Sequence, residues 1–325
     1  MVFPLVADCL RQWWDTIRLQ DRMHRDLPSH YREDWSALSW NRYRYMYGVL
    51  VPVIIHDALF RLHDIPISSQ HRKVITAQAL VTGLFDDLFD TIHLPVDRII
   101  HLMDEPDYII STDYIQEHLC QFLYKEIYEH FTGHPRILED SIQGIMKAQK
   151  KTSHQRNPEL NIHDLLQITR EKGGNAVLFY RSSINRTIED EERDFLLELG
   201  GLFQLTNDIN DAERDRRSEE ISVMTIGIPL AEIQQILEDQ ISRVRHSWEQ
   251  LPDERYIREH FFDRIHILVA RSQLTLERYG EYVDPFELFD IQKIPPGRII
   301  SGVSFPLEFG KWQDKYRKLG ERYDP

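Results

Sequence analysis

The chain has 325 residues, 42% of them hydrophobic, enough to bury roughly three quarters of the unfolded surface in one large core or two smaller ones. A formal net charge of −14, from 39 basic and 53 acidic residues, argues against a binder of phosphate backbones, so nucleic acid is not an expected partner. Cys9 and Cys120 stand far apart with no CxxC or Cys/His cluster, which excludes a disulfide framework or structural zinc site and suits a cytoplasmic location.

The N-terminal stretch, residues 1–22, starts apolar but has no basic leader. Asp8 and Arg11 interrupt it well short of a signal peptide or membrane span, so no integral membrane segment is expected. Glycine (14) and proline (15) are scarce, no tract is long enough to be a flexible linker, and no internal repeat is visible, which predicts a single domain over residues 1–325. Apolar residues recur at three- and four-residue spacing, as in Ile137, Leu138, Ile142, Ile145 and Met146, and alternating patterns are rare. The fold class is all-α, an antiparallel helical bundle. Turn chemistry clusters at residues 63–66, 104–107, 132–135, 156–158, 251–253 and 293–297, which divides the chain into roughly ten helices.

Residues 74–85, VITAQALVTGLF, carry no charge and therefore predict a helix buried at the centre, because a surface helix keeps a solvated face. The run ends in Asp86-Asp87-Leu88-Phe89-Asp90. At about 100° per residue Leu84, Phe85, Leu88 and Phe89 fall on one arc and the three acids on the other. Thr76, Ala79 and Gly83 lie beneath the acids and predict a cavity there. A solvated acidic helix end would cost only about 0.2–0.5 kcal/mol per like-charge pair. In a partly buried site the repulsion reaches roughly 4 kcal/mol and favours a bound hard cation such as magnesium. Residues 195–206 repeat the construction, and Asn207, Asp211 and Asp215 follow at i, i+4 and i+8, placing three oxygen donors on one face above Gly200.

These words resemble the class I isoprenoid synthases, a superfamily of terpene cyclases, trans-prenyltransferases and squalene and phytoene synthases. DDLFD matches the DDxxD motif. NDINDAERD is similar to the Asn/Ser/Glu metal triad of terpene cyclases, with Asp211 and Asp215 in place of Ser and Glu, and GLFQLTNDIND resembles the second aspartate-rich region of trans-prenyltransferases. The resemblance spans roughly residues 74–230. It implies a helical bundle with a central active-site cavity and magnesium-assisted departure of diphosphate from an allylic isoprenyl diphosphate. Asp86 and Asp90 would hold two ions and Asn207, Asp211 and Asp215 a third.

The resemblance also nominates diphosphate ligands. Arg170 and Lys172, before a helix break at Gly173-Gly174, match the sensor region of cyclases, and Arg278-Tyr279 matches a late Arg-Tyr pair. Arg214, Arg216 and Arg217 would either close over the site or form a solvated charge run. A carbocation needs an apolar, aromatic lining, for which Phe85, Phe89, Phe179, Tyr180 and Phe203 are candidates, although an aromatic in such a position is more often core packing. No N-terminal Gly-Lys-Arg-type segment and no Arg-Arg pair after DDxxD is evident, which favours a single-substrate cyclase over a prenyltransferase or head-to-head condensing enzyme. Homodimers are common among the resembling proteins.

Other readings stay open. His56-Asp57, His63-Asp64 and His163-Asp164 have the form of phosphohydrolase metal dyads, and a non-catalytic helical partner subunit is an alternative. No His has Glu three residues before it, which argues against a di-iron bundle.

Overall fold

The computed structural model describes residues 2–38, 40–104, 114–152, 160–252, 256, 261–295 and 309–323. Among them the chain is helical and forms no strand, in agreement with the all-α expectation; only an isolated bridge joins Pro229 and Leu288. In chain order the helices are α1 (Val2–Asp26), α2 (Arg32–Ala37), α3 (Asp57–Leu62), α4 (Ser69–Asp86), α5 (Val96–Asp104), α6 (Ile115–His130), α7 (Pro135–Thr152), α8 (Ile162–Arg181), α9 (Asp190–Arg217), α10 (Leu230–Glu249), α11 (Phe262–Tyr279) and α12 (Phe309–Tyr323). Wider π-helical turns occupy Arg42–Leu50, Pro52–His56 and Asp87–Thr91.

The chain forms two compact units, residues 1–141 with 179–187, and residues 142–178 with 188–325. In the first, α4 is the central helix, as its charge-free sequence requires: Val74 to Val81 and Gly83 to Phe85 are buried. Ser68 opens it with a capping box, its hydroxyl accepting from the His71 N–H at 3.1 Å while the His71 ring accepts from the Ser68 N–H. Helices α1 and α6 and the Arg42–Leu50 turns pack around it. Two buried amide groups donate across these contacts. Gln12 donates to the Gly48 carbonyl at 3.0 Å and to Thr76 Oγ1 at 2.8 Å, and Gln78 donates to the Phe179 carbonyl at 2.8 Å. Among the described residues one run, Arg42–Leu62, is long and apolar enough to cross a membrane by length and composition, and most of it is buried within this unit.

In the second unit the 28-residue α9 packs against α10 and α11. Its first turn carries Asp190, Glu191 and Glu192 and its last Arg214, Arg216 and Arg217, the arrangement that complements the helix dipole at both ends. Phe195 anchors the N-terminal half in an aromatic cluster, 5.3 Å from Trp248 and 5.6 Å from Phe261 between ring centres. The expected break at Gly173-Gly174 does not occur: α8 runs through both glycines. A Cβ on Gly173 would lie 2.0 Å from the Gly200 carbonyl oxygen, and one on Gly174 would meet Leu197. Glycine is present there for close helix contact, which offsets its poor helix propensity.

Candidate functional site

The first acidic cluster sits where α4 gives way to the π turn. The Ile92 N–H reaches back five residues to the Asp87 carbonyl at 2.9 Å, and Leu88 is fully buried while Asp86 and Asp87 are half-exposed. The carboxylates meet three groups from the Arg42–Leu50 turns. Arg42 Nη1 donates to Asp87 Oδ1 at 2.5 Å, Arg42 Nη2 lies 3.4 Å from Asp86 Oδ2, Tyr47 donates to Asp86, and Tyr43 donates to Asp87. Burial opposes the Arg42 charge, but Tyr47, Asp86 and Asp87 outweigh it and raise its pKa; the Tyr43 hydroxyl is pushed up by burial and by Asp87. Asp90 lies on the π turn, and its side chain is outside the described residues.

The space expected beneath the acids is filled. A Cβ on Gly83 would fall 2.5 Å from the Tyr47 ring, so the glycine makes room for the tyrosine that reaches Asp86. Sequence reading missed Arg42, Tyr43 and Tyr47. The signal was the word Arg42-Tyr43-Arg44-Tyr45-Met46-Tyr47, whose Tyr43 and Tyr47 share a helical face and have hydroxyls suited to carboxylate partners. Of the nominated aromatic liners in this unit, Phe85 is buried 6.4 Å from Phe89 and 5.9 Å from Tyr124 between ring centres, and Phe179 is fully buried beside Tyr180. Tyr180 donates to Thr82 Oγ1 at 3.0 Å.

The second cluster lies on the last three turns of α9. Asn207 and Asp211 are half-buried and Asp215 is buried. The Asn207 amide has no hydrogen-bond partner among the described residues. Asp211 pairs with Arg214 at 2.9 Å, and the same guanidinium reaches within 3.8 Å of Asp215. Asp208, which the sequence does not single out, joins this group: it is buried, accepts from Gln204 Nε2 at 2.8 Å and is repelled by Asp215 and attracted by Lys172. Burial and then Asp215 raise its pKa well above the carboxylate range. Burial, with Glu220 and Asp211 adding repulsion, pushes Asp215 up to about 7 against the opposing pull of Arg214. The remaining amide of the motif is structural: Asn210 donates to Ser272 Oγ at 2.9 Å and accepts from Thr275 at 3.0 Å.

The nominated cations divide. Lys172 interacts electrostatically with Asp208, whereas Arg170 donates to Glu198 at 2.7 Å, more than two helical turns before Asn207. Tyr279 is buried with its pKa raised to about 12, chiefly by burial, with Asp211 and Glu213 adding to the shift and the adjoining Arg278 opposing it; the late Arg-Tyr pair thus lies near the second cluster. Arg216 and Arg217 both pair with Glu213 and form the solvated charge run, while Arg214 turns to Asp211. Phe203, half-buried, lies one turn before Asn207. Of the histidine dyads, His56 is buried while Asp57 pairs with Arg61 at 2.6 Å, and the exposed His163 lies 3.6 Å from Asp164; among the described residues none of the three dyads belongs to a cluster of three metal-ligand atoms.

A cation fits the second cluster on an electrostatic ground. Carboxylates whose pKa values rise chiefly through burial, with neighbouring carboxylates adding repulsion, are groups that a divalent ion would hold in the charged state. Among the described residues, acidic and histidine ligand atoms gather within 4.8 Å of one another only at Glu126, Glu129 and His130, where Glu126 is already engaged by both nitrogens of Arg22. Among the described residues the carboxylates of the second cluster do not gather to that distance, and a magnesium ion held there would take its remaining ligands from water or phosphate.

No family model and no curated protein matches the chain. Among solved structures it is similar to the crystal structure of heptaprenyl diphosphate synthase from Staphylococcus aureus, at 13% identity and a TM-score of 0.42, over 93% of this chain and 97% of that one.

Proposed function

We propose that the chain is a class I terpene synthase that ionises an allylic isoprenyl diphosphate and cyclises or rearranges the resulting carbocation. The observation that carries this reading is the paired construction itself: two helices with buried, almost uncharged runs, α4 and α9, each ending in a spaced set of carboxylates. Magnesium, three ions of which the resemblance implies, would supply Lewis-acid stabilisation of the leaving diphosphate. Asp86 and Asp90 would hold it at one cluster, and Asn207, Asp211 and Asp215, with Asp208 beside them, at the other. Lys172, Arg214 and the Arg278-Tyr279 pair, which interact electrostatically with the second carboxylate set, would be the groups to meet phosphate oxygens. Arg42 pairs with Asp86 and Asp87, and would be free to meet an anion if a cation took those oxygens.

Arg42 also favours a second reading. The chain has no N-terminal Gly-Lys-Arg-type segment, but Arg42 nonetheless sets a cation beside the first acidic cluster. A prenyltransferase that adds isopentenyl diphosphate to an allylic diphosphate is that second reading. Incubation with magnesium and C10, C15 or C20 allylic diphosphates, with and without isopentenyl diphosphate, separates the two. A cyclic hydrocarbon or alcohol from one substrate alone is the expected product. Longer prenyl diphosphates formed only with isopentenyl diphosphate establish transfer, and absence of diphosphate release in every mixture overturns both.

A further inference from the structure

Helix α1 carries an exposed stripe that the acidic clusters do not use. Val6, Leu10 and Trp14 are 50, 59 and 60% exposed, an unusual series for four-residue spacing on one helix. The stripe widens at Tyr45, 56% exposed, whose ring stacks on Trp13 at 5.0 Å. On the same arc of about 120°, further along the helix, follow Arg18 and Arg25. These line a cleft of about 480 Å³ between α1 and the first turns of α4, together with Arg22, Arg72 and Lys73. Two carboxylates, Asp15 and Asp21, share it. Arg22 is tied to Glu126, and Lys73 lies 3.4 Å from the His130 ring, but Arg18, Arg25 and Arg72 have no carboxylate partner among the described residues.

We propose that this face of α1 is a peripheral membrane-docking surface: Val6, Leu10 and Trp14 enter the interfacial layer of an anionic bilayer, and the adjoining cleft takes the phosphate of a lipid headgroup on Arg18, Arg25 and Arg72. A convex helix surface offers no wall against which a single free apolar chain could be enclosed, whereas a bilayer covers it from outside. Tryptophan at the border between apolar and basic residues is the placement that an interfacial helix uses, and guanidinium groups beyond it meet phosphates at headgroup level. The net charge of −14 does not prevent this, because charges farther than about 8 Å from the surface are screened at physiological ionic strength. The site is separate from the first acidic cluster: Arg72 and Asp86 are about 20 Å apart along α4. The proposal therefore stands or falls independently of the diphosphate reading.

Cosedimentation of the full chain with phosphatidylcholine vesicles, with and without phosphatidylglycerol, tests it. Saturable, salt-sensitive binding to the phosphatidylglycerol vesicles is expected, with Trp14 fluorescence quenched by brominated lipid and that share of quenching lost in Trp14→Phe. Each cation removed is expected to weaken binding about fivefold, so that Arg18→Ala/Arg25→Ala loses about 25-fold and addition of Arg72→Ala about a hundredfold. The exposed pair Arg18 and Arg25 keeps the test valid if Arg72→Ala disturbs the fold. Leu10→Ser/Trp14→Ser is expected to abolish vesicle binding without changing sedimentation of the free protein. The proposal is overturned by no vesicle binding, by binding that ignores the charge variants, by saturable binding of soluble decyl phosphate without vesicle binding, or by a change from dimer to monomer in Leu10→Ser/Trp14→Ser, which would assign the face to a second copy of the chain.

Discussion

Gly173 and Gly200 bring the backbones of α8 and α9 into direct contact: a Cβ on Gly173 would lie 2.0 Å from the Gly200 carbonyl oxygen, and one on Gly200 would lie 2.2 Å from that of Gly173. The contact lies next to Lys172 on one helix and two turns before Asp208 on the other. Alanine at either position improves helix propensity by about 1 kcal/mol but forces the two backbones apart. Gly200→Ala should therefore lower stability by about 1–3 kcal/mol in urea denaturation, the usual cost of overpacking. A neutral or stabilising result would mean that the two helices are not so closely packed.

The Arg42 clamp yields a prediction with a metal readout. Removing Arg42 leaves Asp86 and Asp87 with only tyrosine hydroxyls, so an added cation has more repulsion to relieve. Thermal denaturation of Arg42→Ala should show a larger upward shift on adding magnesium than the wild-type chain. An equal shift in both proteins would show that Arg42 does not compete with a cation for these oxygens.

Asp208 and Asp215 make stability depend on pH in a defined sense. The folded-state pKa of Asp215 is about 7, above its ordinary carboxylate value, so the folded chain binds more protons than the unfolded one between about pH 4 and pH 7. Stability from this pair is full below pH 4 and is lost as pH rises through 7. Asp215→Asn should thus be more stable than wild type at pH 8, by on the order of 1 kcal/mol or more, and indistinguishable near pH 4. Magnesium at pH 8 should narrow the difference. Denaturation curves at the two pH values, with and without the metal, decide it.

His56 acts in the opposite direction. Its ring is fully buried, 4.6 Å from that of Tyr180, and burial depresses its pKa to about 3. His266 follows the same pattern, at about 4. The unfolded chain then binds more protons than the folded one below about pH 6.5, and stability falls with pH by up to about 1.4 kcal/mol per unit for each such histidine. His56→Leu should flatten that decline between pH 6 and pH 4. An unchanged slope would show that His56 is not the group refusing the proton.

The ligand assignment is tested most directly by substitution. Asp86→Ala and Asn207→Ala should each abolish magnesium-dependent diphosphate release while leaving the far-ultraviolet circular dichroism of the helical fold intact. Full release of diphosphate by both variants would sink the assignment.

The sequence by itself determined the helical class and the location of the two acidic clusters. A twelve-residue run without charge must be buried, and carboxylates at four-residue spacing must share a helical face; both follow from local periodicity and the cost of burying charge. Local information could not reveal that Arg42, 45 residues from Asp87, neutralises it, because the pairing depends on how the π-helical turns pack against α4. Nor could it show that Gly173-Gly174 continues a helix instead of ending one. Propensity favours a break there, and only the presence of Gly200 on the facing helix supplies a reason for glycine within a continuous α8. Asp208 became part of its cluster for the same reason: burial and the proximity of Asp215, Gln204 and Lys172 are properties of packed helices, and the strength of charge interactions depends on the desolvation that packing creates.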